Sequence, residues 1–79
     1  MRQYDSIWHQ IKTTGNASVT VSKDHARTMI AGVIETKSDE NTLRRSMGLI
    51  GWSKLVIKRT KLSDTHIRVD FSLAYLTNL

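Results

Sequence analysis

Seventy-nine residues carrying a formal charge of +5, with no cysteine and no proline, describe one small domain spanning 1–79. A second core, a disulfide framework and thiolate metal sites are excluded, and a domain of this size leaves little room for a deep catalytic cleft. The excess charge is segregated: residues 1 to 43 hold five basic and five acidic side chains, whereas residues 44 to 79 hold seven basic ones against Asp64 and Asp70.

In chain order, Tyr4, Ile7, Trp8 and Ile11 recur at steps of three and four, with Asp5 or Ser6 placed to cap and Gly15 placed to stop the turn. The spacing predicts a short amphipathic helix. Ala17, Val19 and Val21 then alternate with Ser18 and Thr20, the period of a half-buried strand over 17–21. Ser22 stands at an N-cap position before the stripe Ala26, Met29, Ile30, Val33 and Ile34, which predicts a second helix from about residue 23 to 36.

The stretch 38–48 has its own start and stop signals. Ser38 can cap, Asp39 and Glu40 suit the positive end of a helix dipole, Arg44 and Arg45 suit the negative end, and Gly48 can close it. A third helix over 38–47 follows, with Leu43 and Met47 facing the core; one longer helix through 22–47 is the alternative the same residues allow. Beyond Gly51 and Trp52, Leu55 and Ile57 alternate with Lys54, Val56 and Lys58, and Ile67, Val69, Phe71 and Leu73 alternate with His66, Arg68, Asp70 and Ser72. Turn formers at 61–65 join these two strands into an antiparallel hairpin.

The expected fold is therefore α+β, in the order α-β-α-α-β-β with a C-terminal hairpin. That order, with a basic hairpin tip, resembles the winged helix-turn-helix superfamily in topology and charge, without a family signature. The resemblance implies that helix 38–47 is a recognition helix, that Asn41, Thr42, Arg44 and Arg45 lie on its exposed face, and that Lys58, Arg59, Lys61 and His66 surround a wing. The sequence departs from that pattern at Asp39 and Glu40, two carboxylates in the turn that would meet phosphates.

Catalytic and cofactor motifs are missing from the sequence. His9, His25 and His66 stand far apart with no carboxylate at metal-ligand spacing, no Gly-x-Ser-x-Gly elbow occurs, and Gly15, Gly32, Gly48 and Gly51 form no phosphate-cradling loop. The expectation is a binding module without cofactor or metal rather than an enzyme. Trp8 falls on the apolar face of the first helix and reads as core; Trp52 follows Gly51 at the edge of the basic half, where stacking on a base and packing in the core are both open.

Alternation alone places Lys54, Lys58, Arg68 and His66 on one polar face of the hairpin. With Arg44, Arg45, Arg59, Lys61 and Trp52 they make the candidate nucleic-acid-binding set, DNA ahead of RNA, since polyphosphate binding scales with the cations aligned against it. A plain solvated face is the alternative for these charges, and an acidic protein surface is the alternative partner, as for a small phage or mobile-element inhibitor. No signal-peptide run opens Met1-Arg2-Gln3-Tyr4-Asp5, and no stretch approaches the ~20 apolar residues of a membrane span, so a cytoplasmic location is expected. Homodimerisation stays open.

Overall fold

The computed structural model describes residues 4–49 and 54–74. Helix α1 (Asp5–Thr14) is followed by strand β1 (Asn16–Ser22), helix α2 (Lys23–Ser46), and strands β2 (Lys54–Lys61) and β3 (His66–Ala74). Two helices and a three-stranded antiparallel sheet thus form a small α+β domain. No helix among the described residues is long and apolar enough to cross a membrane.

Local chemistry sets three element ends where the sequence signals predict them, but the expected Asp5 or Ser6 cap does not form: Tyr4 is the N-cap of α1 and makes no side-chain cap bond. Gly15 adopts φ +92°, and its N–H bonds the Ile11 carbonyl at 2.8 Å, so α1 stops and the chain enters β1 without a loop. Ser22 ends β1 and caps α2, its Oγ accepting from the His25 N–H at 3.3 Å. At the other end of α2, the Gly48 N–H bonds the Arg45 carbonyl at 3.0 Å and the Leu49 N–H bonds the Arg44 carbonyl at 2.8 Å. With Gly48 at φ +78°, this is a Schellman closure.

The expected break between a second and a third helix does not occur: α2 runs unbroken for 24 residues. Neither proline nor glycine lies at 36–39, and extending a formed helix adds one backbone hydrogen bond per residue fixed, so Ser38 has no reason to leave helical geometry. Contacts to α1 hold the middle of α2 in place. The Thr36 hydroxyl donates to the Gly32 carbonyl at 3.0 Å and lies 3.4 Å from Asp5 Oδ1, and Lys12 Nζ meets Glu40 Oε1 at 2.8 Å.

Continuity overturns three further expectations. Leu43 and Met47 are 60% and 64% exposed rather than core-facing, because at 1.5 Å per residue the last turns run roughly 15–20 Å past Val33, the last fully buried apolar residue of the stripe. Asn41, expected on an exposed recognition face, is buried. Glu40, expected in a first turn, lies mid-helix and is paired with Lys12.

The sheet order is β1-β3-β2, with β3 paired on both sides. The central place suits β3, whose Val69, Phe71 and Leu73 are all buried, with Ile67 partly so. Cross-strand rows on the helix-covered face are Leu55–Leu73, Ile57–Phe71–Ala17, Arg59–Val69–Val19 and Lys61–Ile67–Val21. Trp8, Ile11, Ala26, Met29, Ile30 and Val33 close this core from above. The aromatic ring of Tyr4 lies directly on Gly32, where a Cβ would stand 2.7 Å from Tyr4 Cε2, and the Tyr4 hydroxyl bonds His25 Nε2 at 3.1 Å. Glycine is required there by close approach rather than by backbone angle.

Candidate nucleic-acid interface

Strand register decides which cations share a surface. The sheet face turned away from the helices carries the rows Lys54–Ala74, Val56–Ser72–Asn16, Lys58–Asp70–Ser18, Thr60–Arg68–Thr20 and His66–Ser22. Lys54, Lys58, Arg68 and His66 therefore lie together, as alternation predicts, on a face that also carries the hydroxyls of Ser18, Thr20, Ser22, Thr60 and Ser72, with Asn16, Ala74 and the exposed Val56 among them. Lys54 and Lys58 are about 13 Å apart along β2, at 3.3 Å per residue.

The remaining predicted cations lie elsewhere. Arg59 and Lys61 fall on the helix-covered side of the sheet, in register with Val69 and Ile67, so the cluster at 58–61 is split between two faces. Arg44 and Arg45 occupy the last turn of α2. Trp52 lies outside the described residues.

One carboxylate sits inside the cationic face. Asp70 accepts from the Ser18 hydroxyl and from Arg68 Nε at 3.3 Å, and Lys58 is its direct cross-strand neighbour. The Ser18 hydrogen bond, followed by the Arg68 and Lys58 charges, lowers its pKa below the ordinary carboxylate value and keeps it ionised. Asp70 thus orients Arg68 and lowers the formal excess of the face from three charges to two.

The hairpin tip is tethered. Ser63 Oγ accepts from the His66 N–H at 3.1 Å, His66 Nδ1 lies 2.8 Å from Thr65 Oγ1, and the Thr65 carbonyl accepts from the Lys23 N–H at 2.9 Å. β1 also flanks β3 along 66–72, so the hairpin lies within the sheet rather than projecting from it as a separate arm. Lys61 Nζ meets Asp64 at 3.6 Å, an exposed pair.

A second surface lies on the helix-covered side, where the C-terminal half of α2 and β2 border an open groove of about 340 Å³. Ile34, Leu55 and Ile57 give it an apolar floor, while Lys37 and Arg45 supply charge. Sequence reasoning missed Lys37 and the hydroxyls of Ser18 and Thr20 as site residues. For the hydroxyls the signal was present in the alternation of β1, but it needed the β1–β3 register to acquire meaning.

Comparison with protein-family models, curated proteins and solved structures found no match.

Proposed function

We propose that this protein binds nucleic acid through its phosphates, using the outer sheet face as the contact surface. The observation that carries the reading is the convergence of Lys54, Lys58, Arg68 and His66 on one face, among mostly hydroxyl side chains and the exposed Val56, with Asp70 as its sole described carboxylate. Cations fixed on a regular sheet can be set against successive phosphates with little loss of backbone freedom, and Ser, Thr and Asn side chains are common phosphate donors. DNA is the first candidate. Besides the His66 imidazole, the face holds no aromatic side chain among its described residues, so single-strand binding by stacking has little support there.

The winged helix-turn-helix comparison contributes to this reading the order helix, strand, helix, hairpin, with the hairpin as a phosphate-contacting element. It contributes no separate recognition helix, since α2 is continuous. Arg44 and Arg45, in the last turn of α2, belong to the helical layer and are not part of this contact surface.

Titration of a labelled duplex into the protein at low salt, followed residue by residue through amide chemical shifts, tests the proposal. Shifts concentrated at Ser18, Thr20, Lys54, Lys58 and Arg68 support it. No binding, or shifts confined to the helical layer, would refute it.

A further inference from the structure

β2 pairs only with β3 among the described strands, so one of its edges is unpartnered. That edge borders the groove under α2. An unpaired edge presents a row of backbone N–H and C=O groups, a template for another strand. Here it lies beside half-buried Leu55 and Ile57 and the 46%-exposed Ile34, apolar surface that no described element covers. From this juxtaposition of free edge, apolar floor and basic rim, we infer that β2 and the groove dock an extended acidic segment of another protein, which adds as a fourth strand.

Charge selects the occupant. Four of the eight residues of β2 are cationic, Lys54, Lys58, Arg59 and Lys61, and none is acidic. The groove adds Lys37 and Arg45, with no carboxylate among its described lining. A second copy pairing through β2 would bring these like charges together, the usual way natural edges discourage self-association. An incoming strand with alternating side chains meets the opposite situation. Its apolar residues enter the groove over Leu55 and Ile57, its carboxylates emerge on the other face beside Lys54 and Lys58, and Lys37 and Arg45 at the groove add to the positive field they meet. The outward carboxylates use Lys54 and Lys58 of the outer face, but phosphates gain nothing from the apolar floor, so the groove contacts do not depend on the phosphate reading.

The test uses two blocked seven-residue peptides, one alternating glutamate with valine and one alternating lysine with valine, titrated into isotopically labelled protein. The glutamate peptide should shift the β2 amides and the methyl groups of Ile34, Leu55 and Ile57, and the lysine peptide should bind about tenfold more weakly or worse. The double variant Lys54→Glu/Lys58→Glu, at two exposed strand positions, should bring the two peptides close to equal affinity. The inference falls under any of four results: equal binding of both peptides by the natural protein, shifts confined to the outer face, shifts of the same methyls by oligothymidylate but not by the glutamate peptide, or no shift at millimolar peptide. Dimerisation in sedimentation that perturbs the same methyl groups would likewise overturn it and assign the groove to a second copy.

Discussion

Gly32 lies within α2, where glycine costs about 1 kcal/mol relative to alanine, so Gly32→Ala ought to stabilise an isolated helix. The structure reverses the sign. A Cβ at this position would overlap the Tyr4 ring, lying 2.7 Å from Cε2 and 3.2 Å from Cγ. Withdrawal of the ring is opposed by the Tyr4 hydroxyl bond to His25. Overpacking of this kind costs typically ~1–3 kcal/mol, which outweighs the helical gain and leaves a net loss of about 0–2 kcal/mol. For a domain of this length each kilocalorie moves the melting temperature by roughly 4–8 °C. The informative experiment is a double-mutant cycle followed by thermal denaturation. Gly32→Ala lowers the melting temperature of the natural protein but raises it by roughly 4–8 °C in a Tyr4→Ala background, where the ring is gone. An increase of equal size in both backgrounds would show that Tyr4 does not rest on Gly32, and the docking of α1 on α2 would need redrawing.

Three further perturbations probe the core, the sheet and the helix end. Phe71→Ala, at a side chain 1% exposed on the central strand, should cost about 3–5 kcal/mol in urea denaturation; an unchanged midpoint would contradict the register. Ser18→Ala removes the main cause of the depressed Asp70 pKa, so the carboxyl midpoint followed by NMR should rise toward the ordinary carboxylate value. Because that pKa is lowered by folding, the stability it contributes is present above the unfolded-state pKa and is lost as pH falls through the folded one. The variant should therefore lose less stability than the natural protein on acidification, and an unmoved midpoint would remove Ser18 from the account. Gly48→Ala places a Cβ at φ +78°, costing about 1–2 kcal/mol, and a neutral result would argue against the Schellman closure.

Much of the architecture was legible because local signals there coincide with tertiary needs. Gly15 and Ser22 are read correctly since each acts on its own helix end, and alternation in 54–58 and 66–73 fixes which side chains point inward whatever the partner strand. Ser38 misleads for the opposite reason. A serine followed by two carboxylates reads as a helix start, yet the same residues are tolerated inside a helix when nothing forces a turn, and the Lys12–Glu40 pair is a contact 28 residues apart that no local pattern reveals. The candidate site was half legible. Lys54, Lys58, Arg68 and His66 follow from period two, but sequence proximity joined Lys58 to Arg59 and Lys61, which the pleat sends to the opposite face. The winged helix-turn-helix resemblance puts Asn41 on the exposed face of a short separate helix, whereas in the continuous helix it is buried.

The central claim, that the outer face contacts phosphates, is tested most directly by the salt dependence of duplex DNA binding, measured by fluorescence anisotropy. Three phosphates met by Lys54, Lys58 and Arg68 give a slope of log binding constant against log salt of about −3. Exchanging those three for glutamine should bring the slope close to zero with the fold intact, since exposed charges contribute little to stability. The matched triple Arg45→Gln, Arg59→Gln and Lys61→Gln, on the other side of the sheet, should retain most of it. Equal flattening by the two triple variants, or no detectable binding by the natural protein at low salt, would contradict the account.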